Sequence, residues 1–201
     1  MGDPRREAPA VARNRDPILD VLRRVLPASG LVLEVASGTG EHCAYFAAAL
    51  PGLVFQPTEP EAEGRASCDA WCAGLANVRR ALPLDVAAGA WPVARAEAVV
   101  CINMAHIAPW VATEGLLRGA ARSLRVGAPL VLYGPWLLPS VETAPSNLAF
   151  DAGLRARNPD WGLRRLEDLV AAAGADFAPP EVIEMPANNV MLVLRRAEAQ
   201  A

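Results

Sequence analysis

The 201-residue sequence predicts an α/β protein: a mostly parallel seven-stranded sheet, with an antiparallel last strand and helices on both faces. Three observations carry that expectation. Short apolar runs alternate with stretches of helical spacing along most of the chain. Small or polar residues gather where the apolar runs stop. The last two runs are separated only by the turn-like "PANN" of residues 186–189, which suits an antiparallel pair.

The elements follow in order. Residues 1–15 lack periodicity and are expected to form an N-terminal tail or lid, leaving 16–197 as a single domain. In "RDPILDVLRRVLP", Asp16 suits an N-cap and Pro17 the first helical position, with Ile18, Val21, Leu22, Val25 and Leu26 on one face. "LVLEVA" (31–36) is a buried strand, and the glycine turn after it opens a helix over 41–50. "LVFQP" (53–57) is the second strand, 61–75 a helix, and 77–84 a short third strand ending at Asp85. "AEAVVCIN" is the fourth strand and ends near Asn103. A helix over 111–124 leads to the fifth strand, "PLVLYGPW". Helices over 146–157 and 164–173 precede the final strands, 182–185 and 190–194.

Ligands in such folds sit at the carboxyl ends of the strands, near the point where strand order reverses. The polar interruptions fall at those ends: Ser37 to Gly40, Glu59, Asp85, and Asn103 to His106. Four loops therefore converge on one crevice.

Composition narrows the ligand. Hydrophobic residues make up 53% and charged residues 20%, a globular balance, and no apolar run approaches the roughly 20 residues that span a bilayer. The net charge of −3 argues against a nucleic-acid backbone as partner, because phosphate contacts need a basic face. The arginines of "RARNPDWGLRR" (155–165) are flanked by acids and read as a solvated face. The polar N-terminus has no signal core. Cys43, Cys68, Cys72 and Cys101 read as reduced apolar fillers, and Cys68 with Cys72 lacks the second ligand pair of a zinc site. A cytoplasmic protein with a small-molecule partner and no membrane is expected, and a homodimer is compatible with the chain.

The turn "LEVASGTGEH" (33–42) decides the nucleotide. A GxGxxG fingerprint needs its third glycine for close packing and puts pyrophosphate on the helix N-terminus. Here Cys43 fills the third slot and Glu41 puts negative charge where the phosphate would sit. No Gly-Lys-Ser/Thr follows, so a Walker loop is excluded. A positively charged cofactor without phosphate fits better, as S-adenosyl-L-methionine (SAM) does.

The run Glu34-Val-Ala36-Ser37-Gly38-Thr-Gly40 resembles motif I of class I SAM-dependent methyltransferases. That resemblance implies their Rossmann-like sheet, with SAM as cofactor. It implies that the backbone of Ala36, Ser37, Gly38 and Gly40 packs on the cofactor and that Glu34 holds its amino group. By the same resemblance Glu59 takes the ribose diol, Asp85 the adenine amino group, and Asn103 and Met104 line the region between cofactor and acceptor. Ala36 stands where many members have glycine. "RNRDPILDVL", "CINMAHIAPW", "LYGPW", "APSNLAFDAGLRARNPDWGLRRLEDL" and "MPANNVMLVLRR" extend the likeness, over about residues 8–196, to a methyltransferase-like branch grouped as a domain-of-unknown-function family.

Methyl transfer needs an aligned nucleophile, excluded water and sometimes a base. His106, just past the fourth strand, is the expected catalytic acid–base or positioning residue; a merely structural loop histidine is the competing reading. His42 is expected to support the turn. Trp110, Tyr133 and Trp136 are expected to wall an apolar acceptor pocket, or else to pack the core. Asn147, Asp151 and Arg155, spaced four apart, share one helix face and are expected to read a polar acceptor, with a surface ion pair as the alternative. Arg13 and Asn14 are expected to close over the site. The resulting expectation is a SAM-dependent methyltransferase acting on a small molecule. A non-catalytic SAM-binding partner protein and a nicotinamide-dependent oxidoreductase stay as rival readings.

Overall fold

The computed structural model describes residues 2–198. Its single sheet contains β1 (Gly30–Val35), β2 (Leu53–Pro57), β3 (Ala98–Ile102), β4 (Pro129–Gly134), β5 (Glu181–Met185) and β6 (Asn189–Arg195), in the order β2-β1-β3-β4-β6-β5. The first four run parallel, and β6 lies antiparallel between β4 and β5. Six helices accompany it: α1 (Val11–Val25), α2 (Glu41–Ala49), α3 (Ala62–Trp71), α4 (Trp110–Ser123), α5 (Pro145–Arg157) and α6 (Leu166–Ala173).

The central strands are apolar on both faces because both are covered. Alternation along each strand then splits the core in two. Val32, Val100, Val131 and Val193 pack with Ile18 and Leu22 of α1 and Phe46 of α2. Their neighbours Leu33, Val99, Leu130, Leu132 and Leu192 pack on the opposite face with Leu116 and Leu117 of α4 and Leu169 of α6.

Two expectations are corrected. The sheet has six strands among the described residues rather than seven, because residues 77–84 meet β2 only through isolated bridges at Val78 and Leu82. The cause is local. Arg79 N donates to Phe55 O, but the next contact to Pro57 O comes from Leu82 N, so the register slips. In the slipped stretch the Gln56 amide donates to Arg80 O (2.8 Å), and Ala81 N donates to the Asp69 carboxylate (2.7 Å). Pro57 also has no N–H to give the ladder.

The first helix begins at Val11, not after Asp16, so residues 11–15 are helical and Pro17 lies inside α1. Pro17 leaves the Arg13 carbonyl without its usual intrahelical donor. Asp16 does not cap; its carboxylate accepts from the Tyr45 hydroxyl on α2. The polar run Arg13-Asn14-Arg15-Asp16 hid this first turn from any apolar periodicity. The remaining helices start and stop within a few residues of expectation.

Strand order reverses at β1, whose neighbours are β2 on one side and β3 on the other. The crevice there is bordered by the turn after β1. Ala36, Gly38 and Gly40 in that turn all have positive φ (55°, 57° and 90°). Gly40 is also constrained by packing, since a Cβ there would lie 2.3 Å from the Cα of Cys68 on α3. A Cβ on Gly38 would meet nothing within 4 Å. Gly40→Ala should therefore cost about 3 kcal/mol or more, combining left-handed strain with overpacking. Gly38→Ala should cost only about 1–2 kcal/mol, from strain alone. Urea unfolding of the two variants checks this, and equal losses would contradict the packing argument.

Candidate active site

The turn is tied to its surroundings by short, specific bonds. Thr58 N and Oγ1 both donate to Glu34 O (2.8 Å each), and Ser37 N donates to Thr58 O (2.9 Å), which locks the ends of β1 and β2 together. Glu59, 8% exposed just past β2, accepts from Gly38 N through Oε2 (3.0 Å) and from Glu61 N through Oε1 (3.3 Å). Gly64 on α3 lets this happen, since a Cβ there would lie 2.6 Å from Glu59 Cγ. The Ser67 hydroxyl donates to Thr39 O (2.7 Å), so α3 braces the turn at a second point. The result is a carboxylate beside an exposed glycine backbone with open space above Gly38, and Glu41 close by. Two acids suit hydroxyl donors and a cation, and they repel a diphosphate.

Linked to this turn by the bond between Asn14 of α1 and His42, in the first turn of α2, is a cavity of ≈ 510 Å³. Five segments build it: Arg13, Asn14 and Pro17 of α1; Asn103 and His106 after β3; Tyr133 and Pro135 at the end of β4; Ser146, Asn147 and Phe150 of α5; and Pro186, Ala187 and Asn189 at the turn leading into β6. Among the described residues Arg13 is its charged side chain, and no carboxylate lines it.

Its polar walls are oriented in advance. The His42 ring, stacked on Phe46, donates from Nε2 to Asn14 Oδ1 (2.9 Å), which fixes the Asn14 amide at the cavity wall. Burial lowers the His42 pKa to about 4, so that ring is neutral. Tyr133 is held above its usual pKa, chiefly by burial, and keeps its hydroxyl proton to donate. Asn147 donates from Nδ2 to Asn188 O (2.9 Å) and Oδ1 (3.1 Å), fixing α5 against the left-handed Ala187–Asn188 turn.

His106 is the central group. It is 1% exposed, lies edge-on to Trp136 (centroids 5.0 Å apart), and both ring nitrogens lack a hydrogen-bond partner. A Cβ on Gly134 would lie 2.3 Å from its Nε2, so glycine at that strand end is what seats the imidazole. The loop beneath is pinned by Arg164, which donates to Ala105 O (2.9 Å), Ala108 O (2.7 Å) and Asp160 O (2.6 Å). Burial, then the Arg164 charge, pushes the His106 pKa down to about 3. The ring is therefore neutral at pH 7.

The structure gathers Arg13, Asn14, Asn103, His106, Tyr133 and Asn147 around the cavity, while Ala36, Ser37, Gly38, Gly40 and Glu59 stand at the turn. It sends others elsewhere. Glu34 is sunk beneath the turn at 3% exposure, where burial raises its pKa to about 7. Asp85 is exposed and caps a short 3-10 turn through Ala87 N (2.9 Å). Met104 is buried in the core, and Trp136 backs His106 from behind. Trp110 lines a separate groove beside α6, with Arg164 over its ring. Asp151 and Arg155 pair with each other (2.9 Å), and Asp151 accepts from Leu163 N (2.7 Å); they hold the loop before α6 instead of facing the cavity. Gly134, Arg164 and Phe150 were not singled out in the sequence, and Pro17 was read only as a helix start. Of these, Gly134 at a strand end carried a signal.

The low His106 pKa has a consequence for stability. The unfolded chain protonates this imidazole below about pH 6.5, while the folded chain holds it neutral down to about pH 3. Stability is then complete above pH 6.5 and falls as pH drops below it, with Arg164 opposing the charged form and the Gly162 backbone and Asp151 favouring it. Between pH 6.5 and pH 4 the wild type should lose about 3 kcal/mol more than His106→Asn. Unfolding curves at several pH values measure the difference, and parallel pH profiles would contradict it.

The chain matches the family described as "Protein of unknown function (DUF938)" over residues 5–196. It is also similar in fold to solved methyltransferases. One is an O-methyltransferase family protein from Burkholderia thailandensis: 17% identity, TM-score 0.74, covering 95% of this chain and 58% of that one. A methyltransferase in calicheamicin biosynthesis, solved with SAH bound, gives 20% identity and TM-score 0.71, covering 91% and 54%. Human N-acetylserotonin methyltransferase in complex with SAM gives 14% identity and TM-score 0.69, covering 94% and 58%. This chain thus spans little more than half the length of those structures and shares their fold. By its match along nearly the whole chain, it belongs to the DUF938 family.

Proposed function

We propose that this protein is a SAM-dependent methyltransferase acting on a small acceptor held in the cavity between α1, α5 and the strand ends. The observation that carries the reading is the adjacency of two arrangements. One is a positive-φ glycine turn with the Glu59 carboxylate drawn against Gly38 N. The other, lined by Asn103 at the end of β3, is the half-open cavity bordered by the buried, neutral imidazole of His106.

The residues at the turn fit the cofactor. Glu59 accepts hydroxyl hydrogens of the ribose while the Gly38 N–H keeps it aligned. The open space above Gly38 admits a nucleoside that a side chain there would obstruct. The bound cofactor supplies an electrophilic methyl group on a sulfonium. Burial of His106 and of Trp136 against it keeps water from the imidazole itself. Arg13 and the Tyr133 hydroxyl orient the acceptor by charge and hydrogen bond.

His106 accepts a proton or hydrogen bond from the acceptor. Its low basicity limits the help it can give. Protonating the ring would create a buried cation beside Arg164, so the ring serves better to position an acceptor hydroxyl by a hydrogen bond than to take its proton outright. The likenesses to solved methyltransferases support the reading at the level of fold.

Calorimetric titration with SAM, S-adenosylhomocysteine and NADH tests the cofactor. Both adenosyl compounds should bind and NADH should not; binding of NADH alone would overturn the reading. Glu59→Ala should weaken SAM binding by about 10-fold to 100-fold, the worth of hydrogen bonds to a charged group. Unchanged affinity would remove Glu59 from the site. In a screen of hydroxyl-bearing acceptors with methyl-labelled SAM, His106→Asn should lower turnover by about 100-fold. SAM binding without label transfer to any acceptor would favour a binding protein without catalysis.

A further inference from the structure

Three thiols from distant parts of the chain meet beneath the turn that follows β1. Cys43 comes from the first turn of α2, while Cys68 and Cys72 lie one turn apart at the end of α3. Their Sγ atoms all lie within 4.8 Å of one another. All three are buried and free of disulfides. Apolar packing alone would be served by alanine or valine, whereas here the polarisable donor atoms of three side chains point to one place.

A carboxyl borders the cluster, outside the 4.8 Å within which the three sulfurs lie, and would have to move inward to become a fourth donor. Glu34 alternates with Leu33 and Val35 along β1, so its side chain projects to the α2–α3 face, where its carboxyl adjoins the Cys43 thiol. It is 3% exposed, and its Oε2 has no hydrogen-bond partner. An orphaned buried carboxyl oxygen is costly, and a cation would satisfy it. Three sulfurs and one oxygen match the donor number and type of a closed tetrahedral zinc site, and thiolates select thiophilic ions over magnesium or calcium.

We propose that Cys43, Cys68 and Cys72 form a three-thiolate site for a thiophilic divalent cation, zinc above all, with Glu34 as the fourth donor. Binding changes no oxidation state: the ion enters, three thiol protons leave, and a fourth leaves when Glu34 is protonated. The ion would clamp α2, α3 and β1 together directly behind the turn, where Cys68 already sits against Gly40. Cys72, at 7% exposure, is the side from which an ion enters. The site owes nothing to the methyl-transfer reading and stands or falls separately.

Cobalt(II) provides the test. The full chain, reduced and stripped with a chelator, is titrated with cobalt and then with zinc. The expected result is thiolate-to-cobalt charge-transfer absorption and the intense visible bands of a tetrahedral ion, saturating at one equivalent and bleached by zinc. Cys101→Ser, which removes the buried thiol on the opposite face of the sheet, should leave the spectrum unchanged. Cys43→Ser, Cys68→Ser and Cys72→Ser should each reduce the charge-transfer absorption. Glu34→Gln should keep that absorption but weaken cobalt binding by about 10-fold or more. A wild-type spectrum without charge-transfer bands overturns the site, and needs no variant to fold. Cysteine variants that bind cobalt like the wild type would do the same. Unchanged affinity in Glu34→Gln overturns its place as fourth donor.

Discussion

The closeness of α3 to the turn after β1 is the constraint on which this end of the molecule depends. A Cβ on Gly40 would run into the backbone of Cys68, and one on Gly64 would run into Glu59 and crowd the Gly38 carbonyl. Two glycines, one on each side of the contact, therefore allow a helix and a turn to approach without intervening side chains. Several features follow from that approach. The Glu59 carboxylate reaches Gly38 N, the Ser67 hydroxyl reaches Thr39 O, and the thiols of α3 come within reach of Cys43 on α2. The left-handed backbone at Ala36, Gly38 and Gly40 is held by contacts with the neighbouring elements, which is how a strained alanine persists there.

The other half of the site uses the same device with different parts. Gly134 at the end of β4 leaves room for the His106 ring, Trp136 covers it, and Arg164 ties its loop to three carbonyls. The imidazole is thus kept dry and neutral by packing. The residue borders a cavity whose other polar groups are fixed by bonds among themselves, from His42 to Asn14 and from Asn147 to Asn188. Polar groups oriented before a ligand arrives need little rearrangement when it binds.

Much of this was legible in the sequence because it is local. Apolar runs with turn residues at their ends marked the strands, and the polar interruptions marked the carboxyl ends where ligands bind. Arg13, Asn14, Asn103, His106, Tyr133 and Asn147 do meet in one cavity. The misreadings were non-local. Asp16 reads as a cap from its neighbours, yet its partner is Tyr45 on another helix. Residues 77–84 read as a strand, but Gln56 and Asp69 intercept the backbone groups that a full ladder would need. Asp151 and Arg155 share a face with Asn147 as the spacing requires, but α5 turns that end toward the Leu163 loop.

By itself the sequence determined the fold class, the order and approximate limits of most elements, and the glycine turn, because periodicity and turn chemistry are properties of adjacent residues. Only the tertiary structure decided how α3 meets the turn, which side chains face the cavity, and that Cys43 joins Cys68 and Cys72. Such pairings depend on the packing of separate elements across a shared core, and no spacing along one chain encodes the distance between two of its helices.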